Sequence, residues 1–318
     1  VKKIKFIGIM ILIYLILGII ATGYLTGDGV FKETMQIVTN KETSIANSPI
    51  YLMKKGFDLE AFKSEYTIET IHINSTLDGH MIPADYITAN GDKNSDTIVL
   101  VHGLWGNRLT VYPMAKMFLE KGYNVIAYDQ RSSGDNTALY TTFGYWESHD
   151  LGDYVAYLNT LVDEDKSIGI WGTSFGGATV GIYLGSKSAN DSVNFAILDC
   201  PVSNMRYLIS REMEKMNMDL PVNFMMAMGN LVTKAKLGFS YDDTDVNEYI
   251  RKTNVPVLII NTKADQITPY FMGEDIYHSI SHTNKKIFTV DDSEHANIFY
   301  EYNDLYEHNV MTFIKDFE

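Results

Sequence analysis

Cysteine is nearly absent. Cys200 is the only one in 318 residues, so no intrachain disulfide can form. A chain this long builds a large core without such staples, so a disulfide-dense secreted scaffold is excluded while export is not. Basic residues are short as well: 26 Lys and Arg stand against 40 Asp and Glu, a net charge of −14. Residues 1–25 hold Lys2, Lys3 and Lys5 and no acid, so the acidic excess falls wholly on the remainder. No cluster of Lys or Arg interrupts it, which argues against a nucleic-acid partner.

Charge of either sign is missing from Phe6 to Gly27, and Phe6 to Ile20 is almost purely aliphatic. As a helix this run is long enough to cross ~30 Å of hydrocarbon. A secretory signal has a shorter apolar core of ~7–15 residues before a small-residue cleavage site. The length therefore points to a membrane anchor over residues 6–27. Cleavage near Ala21-Thr22-Gly23, giving a secreted protein, is the alternative. With the lysines on the cytoplasmic side, the rest of the chain lies outside the cytoplasm.

Three segments are expected: an anchor or signal over 1–27, a stalk and leading helix over 28–65, and a catalytic domain over 66–318. Ser48-Pro49 is a plausible helix start within the second. Tyr66 to Ile73 alternates as a half-buried strand does, and Met81 to Thr88 follows a turn holding Asp78-Gly79, so the two form a hairpin. Strand and helix patterns then alternate, which predicts a mostly parallel sheet with helices on both faces. Strands are expected at Thr97–Val101, at Asn124–Tyr128, in the short apolar run from Ile168 that leads to Ser174, and at Phe195–Leu198, Val255–Ile260 and Lys286–Val290, and a closing helix ends near Phe317. One stretch, about 202–253, has no strand signal, and seven of the fifteen methionines fall within Met205–Met228. It is either an irregular helical core or a cap whose pliable Met225, Met226 and Phe224 adapt to an apolar substrate.

The stretch Gly172-Thr173-Ser174-Phe175-Gly176 joins a buried strand to a helix. Glycines on both sides of Ser174 allow a strained turn that lifts its hydroxyl clear of the sheet. A nucleophilic serine needs a base, a carboxylate that orients the base, and oxyanion donors, in the chain order Ser, acid, His. Among the later histidines, His278 and His282 lie at a helix end and His308 within the closing helix, so His295, in a loop after a strand, is the candidate base. Asp265 follows the preceding strand and is the candidate acid, with Asp199 its rival. The turn His102-Gly103-Leu104-Trp105-Gly106-Asn107 offers backbone N–H groups. Leu104 and Phe175 are the candidate oxyanion donors through their amides. His102 precedes Ser174 and braces its loop. Trp105, Met225 and Met226 are the candidate substrate-binding side chains.

Together, His102-Gly103-x-x-Gly106-Asn107, Tyr128-Asp129-x-Arg131, Gly172-Thr173-Ser174-Phe175-Gly176, Asp265-x-Ile267-Thr268-Pro269 and His295 before a terminal helix resemble the alpha/beta-hydrolase superfamily. The likeness runs over roughly Tyr66 to Phe317. It is nearest to anchored bacterial hydrolases described as lysophospholipase-like or serine-aminopeptidase-like. It implies an alpha/beta-hydrolase fold with an eight-stranded, mostly parallel sheet and a helical cap insertion, a Ser174–His295–Asp265 triad, and no metal or organic cofactor. Two departures stand out: Ser132 occupies the position of a usual Gly after Arg131, and Asp292 stands where many members have Gly.

The function expected is hydrolysis of a small acyl ester or lipid-like carboxylic ester through an acyl-enzyme on Ser174. A peptidase would need a fixed charge for the substrate amine, for which Glu212 and Glu214 are the candidates. A non-catalytic binding module on the same fold is the reading from another class.

Overall fold

Val125 to Tyr128, Val99 to Val101 and Phe195 to Leu198 are apolar and fully buried, as strands are when helices cover both faces of a parallel sheet. The structure, a computed structural model, describes residues 2–216 and 219–317. Its strands are β1 (Thr67–Asn74), β2 (Met81–Thr88), β3 (Thr97–Val101), β4 (Asn124–Tyr128), β5 (Ile168–Thr173), β6 (Phe195–Asp199), β7 (Val257–Thr262) and β8 (Lys285–Val290). They form one eight-stranded sheet in the order β1-β2-β4-β3-β5-β6-β7-β8. β2 runs antiparallel to both neighbours, and the pairings from β4 through β8 are all parallel. This is the alpha/beta-hydrolase fold.

Three helices precede the sheet: α1 (Lys2–Met35), α2 (Ser48–Lys54) and α3 (Leu59–Glu65). Between strands lie α4 (Tyr112–Leu119), α5 (Glu147–Leu158), α6 (Phe175–Leu184), α7 (Lys187–Ser192), α8 (Met205–Lys215), α9 (Val222–Leu237), α10 (Val246–Ile250) and α11 (Phe271–Ser279). The chain closes with α12 (Ile298–Glu301) and α13 (Asn303–Lys315). Pro49 stands in the first turn of α2, where a missing N–H costs nothing. Helix α6 is buried along its whole length, which explains its apolar character on every side.

The chain divides into two units. The larger comprises Val38–Met205 and Thr244–Glu318 and holds the entire sheet. The smaller comprises Val1–Ile37 and Arg206–Asp243, so it pairs the N-terminal helix with α8 and α9. Helix α1 does not stop at Gly27 but continues to Met35. Its first part is exposed and apolar, with Leu15 60% and Ile19 71% exposed, whereas Phe31 and Met35 are buried. The methionine-rich stretch is therefore mostly the α8–α9 pair; Met218 within it lies outside the described residues.

Candidate active site

Ser174 sits between β5 and α6 with φ 56° and ψ −118°, a left-handed conformation that side chains disfavour. The turn is held because nothing larger than hydrogen fits beside it. A Cβ on Gly172 would stand 2.6 Å from the Gly176 carbonyl oxygen, and one on Gly176 would run into the carbonyls of Val101 and His102 at the end of β3. The Ser174 amide donates to the Asp199 carbonyl at 2.8 Å, tying the turn to the end of β6.

His295 lies in the loop after β8, with its Nε2 2.9 Å from Ser174 Oγ. Its Nδ1 is 2.7 Å from Asp265 Oδ2, in the loop after β7. The other oxygen of Asp265 accepts from the amides of Ile267 and Thr268, both at 2.8 Å. Thr268 Oγ1 lies 2.9 Å from Asp265 Oδ2 and 3.2 Å from His295 Nδ1. Burial pushes the Asp265 carboxyl up, but the His295 hydrogen bond and charge, with the two amides, outweigh it and hold the group below the ordinary carboxylate value. The three sequence candidates thus meet in one hydrogen-bonded line.

Asp199 is not part of that line. It is buried, and its Oδ2 accepts from the Tyr306 hydroxyl at 2.8 Å. Burial pushes its pKa up to about 6. His102 has a bracing geometry instead. The Gln130 amide can only donate, so His102 Nε2 accepts from it at 3.0 Å, and Nδ1–H donates to the Gly103 carbonyl at 2.8 Å. Burial lowers its pKa to about 4, which keeps it neutral. His278 lies on α11, His282 just after it and His308 on α13, and none of them takes part in this line.

A cavity of about 450 Å³ opens over Ser174 and His295. Leu104 lines it, and the loop carrying Leu104 runs against the nucleophile: a Cβ on Gly103 would stand 3.4 Å from Ser174 Cβ. Phe175 is the first residue of α6, where an amide has no acceptor in its own helix. Trp105 lines the cavity half-exposed, in a left-handed turn with φ 67°. Met225 and Met226 are buried on α9 in the smaller unit and are not among the lining residues. Glu212 and Glu214 also belong to that unit, on α8.

One wall of the cavity comes from the stretch expected to be a stalk. Glu42, Ser44, Asn47 and Tyr51 line it, and the Tyr51 hydroxyl meets that of Tyr300, which lines it together with Phe299. Asn107 fixes this wall: its Nδ2 donates to the Thr43 carbonyl and to Ser48 Oγ, each at 2.8 Å. Sequence reasoning missed these residues, and Thr268 as well. The available signals were Asn107 itself and the helix start at Ser48-Pro49.

The departures from the family pattern have local causes. Ser132 takes φ 59°, the conformation for which Gly is favoured. Asp292 accepts from the Tyr302 hydroxyl, which fastens the loop before His295 to the end of α12. The donor atoms of Cys200, Asp265 and His295 lie within 4.8 Å of one another. Both His295 nitrogens are engaged already, and burial pushes the Cys200 thiol well above its ordinary value, so this set is poor in free metal donors.

A family model for the alpha/beta hydrolase fold matches residues 96–224, a stretch that includes Ser174 but neither Asp265 nor His295. The chain is 26% identical over 288 residues to the uncharacterized protein YqkD of Bacillus subtilis, covering 89% of this chain and 88% of that one. Among solved structures it is similar to the Pyrococcus furiosus esterase Pf2001, at 20% identity and a TM-score of 0.65, over 82% of this chain and 96% of that one. It is also similar to an esterase from Exiguobacterium antarcticum, at 18% identity and a TM-score of 0.56, over 78% and 100%. At such identities the likeness to these structures establishes the fold.

Proposed function

Taking the chain as a member of the alpha/beta-hydrolase superfamily, we propose that it is a serine hydrolase that cleaves carboxylic esters through an acyl-enzyme on Ser174. The observation that carries this reading is the line Ser174 Oγ–His295 Nε2 at 2.9 Å and His295 Nδ1–Asp265 Oδ2 at 2.7 Å, at the floor of a cavity. Asp265, held ionised, can only accept, so His295 carries its proton on Nδ1 and turns the Nε2 lone pair to the serine hydroxyl. His295 takes the Ser174 proton as Oγ attacks the acyl carbon. The amides of Leu104 and Phe175 stabilise the oxyanion, and His295 returns the proton to the leaving alcohol. Water, deprotonated by the same nitrogen, then releases the acid. The cavity's size and its lining by Trp105, Trp171, Tyr51, Phe299 and Tyr300 suit a small acyl ester or the end of a lipid-like one.

A panel of p-nitrophenyl acyl esters and aminoacyl amides tests the reading. Turnover of esters well above amides is expected. The reverse preference would favour a peptidase, for which Glu42 on the cavity wall is the carboxylate available to a substrate amine. Labelling by a fluorophosphonate separates both from a binding module, whose serine would be inert.

The uncharged run of α1 is read as a membrane anchor over residues 6–27, with Lys2, Lys3 and Lys5 in the cytoplasm and the catalytic unit outside. External protease acting on intact cells should reach the catalytic unit. Full-length protein recovered in the cytosol would contradict this, and a shortened soluble form outside the cell would mean signal cleavage.

A further inference from the structure

A second surface, the N-terminal half of α9, takes no part in the proposed ester hydrolysis. Within the smaller unit, α1 and α9 pack closely, because glycines remove the side chains between them. A Cβ on Gly27 would stand 2.5 Å from the Met228 carbonyl oxygen and 2.7 Å from Val232, and Gly229 leaves the space that Val30 fills. The contacts climb both helices together. Gly23 meets Met228, Gly27 meets Met228 and Val232, Asp28 pairs with Lys236 at 2.6 Å, and Thr34 lies 3.5 Å from the Tyr241 hydroxyl. The two helices therefore run in the same direction.

Their charges begin at the same level. On α1 there is none from Phe6 to Gly27, and Asp28 is the first. On the other segment there is none from Leu220 to Thr233, and Lys234 is the first. Asp28 binds Lys236 of α9 and Lys32 of its own helix, so a paired layer of charge marks one boundary across both helices. Below that layer, Leu220 just before α9 and Asn223, Ala227 and Leu231 on it form an exposed uncharged stripe, the last 61% exposed. An uncharged helix face level with an apolar anchor, and on the same side of a shared charge boundary, can meet lipid without burying a charge there.

From these relations we infer that α9 is a second membrane contact, its first two turns lying at the boundary between headgroups and acyl chains of a phospholipid bilayer. The inference rests on the reading of residues 6–27 as a membrane span. Val222 precedes Met228 by six residues, about 9 Å of helix rise, so the start of α9 is level with about residues 19–21 of α1. A span of ~20 residues beginning at Phe6 ends near Leu25. The start of α9 thus reaches ~5–10 Å below the boundary, the depth of interfacial helices. Asp219, just before Leu220, is the first charge met at this deep end, so the uncharged contact does not extend past it. The protein then holds the membrane with two fastened helices, and the second belongs to the segment joining β6 to β7.

The test uses the full-length chain in phosphatidylcholine vesicles, with a nitroxide label on one introduced cysteine at a time. Leu15→Cys reports the span, Leu220→Cys and Ala227→Cys the inferred contact, Leu231→Cys and Lys234→Cys the boundary, and Ser64→Cys water. Native Cys200 is buried, and the unsubstituted chain gives its background. Oxygen accessibility should exceed that of a water-soluble nickel reagent at positions 220 and 227, fall at 231, and reverse at 234 and 64. Lipid exposure at 15 with water exposure at both 220 and 227 overturns the inference and leaves the anchor standing. Water exposure at 15 removes the anchor itself. Spin–spin broadening at 220 and 227 that persists on dilution in lipid overturns the inference in favour of a second copy of the chain. Circular dichroism and retained ester hydrolysis identify folded variants, and agreement between 220 and 227 guards against a local effect of either substitution.

Discussion

The Tyr306 hydroxyl donates to Asp199 Oδ2 at 2.8 Å, and Trp171 Nε1 donates to the same hydroxyl at 2.8 Å. One oxygen of Asp199 is thereby held from the sheet's interior, although the residue also lines the cavity, and Asp265 is the acid that meets His295. Asp265→Asn should lower turnover by ~10⁴-fold, because an amide favours the wrong histidine tautomer. Asp199→Asn should cost far less, since an amide oxygen still accepts from Tyr306. Ester-hydrolysis rates of both variants, compared after circular dichroism, decide the ranking. A larger loss for Asp199→Asn would move the acid there.

The same residue predicts a pH effect on stability. Burial raises the Asp199 pKa to about 6 in the folded chain, so folding favours its protonated form. That favourable contribution is complete below the ordinary carboxylate range and is lost as pH rises through about 6. Asp199→Asn does not titrate, so its Tm relative to the native chain should rise between pH 4.5 and pH 7.5. A difference that is flat or falls over this interval would contradict the assignment.

Gly176→Ala should disrupt the turn rather than the chemistry. Its Cβ would meet the carbonyls at the end of β3, which belong to the sheet's centre and cannot retreat. A loss of ~1–3 kcal/mol or more is expected for overpacking of this kind, read as a lower Tm or failure to accumulate folded. An unchanged Tm would mean that α6 does not sit against β3.

The cavity wall gives a prediction about substrate choice. Tyr51→Ala, on the cavity wall, should widen the range of acyl chain lengths accepted, with little change in Tm. Met225→Ala with Met226→Ala should lower Tm and leave chain-length preference unchanged, because both side chains are buried within the smaller unit and large-to-small changes in a core cost ~2–5 kcal/mol each. A shift in chain-length preference with unchanged Tm for the methionine pair would instead make α9 part of the substrate pocket.

What the sequence made legible was local or positional. The turn at Ser174 could be found because its glycines are adjacent to the residue they serve. His295 and Asp265 could be found because loops after parallel strands converge at one edge of the sheet. The wall at residues 42–51 could not. It depends on Asn107 reaching the Thr43 carbonyl and Ser48 Oγ, a pairing that leaves no periodicity in either stretch. The choice between Asp199 and Asp265 was open for a similar reason: each follows a strand, and Tyr306, which engages Asp199, lies in the closing helix. Helix α1 runs past the uncharged stretch to Met35, which charge and hydropathy do not mark, and Gly23 and Gly27 within it mark close packing on α9.

The central claim is that Ser174 is the activated nucleophile. Intact-protein mass spectrometry after treatment with a fluorophosphonate tests it most directly, on the native chain and on folded Ser174→Ala. One covalent adduct on the native chain, mapped to Ser174 and absent from the variant, with ester turnover lower by at least ~10³-fold in Ser174→Ala, is the predicted result. An unlabelled native chain, or a folded Ser174→Ala variant that keeps most of its activity, would contradict it.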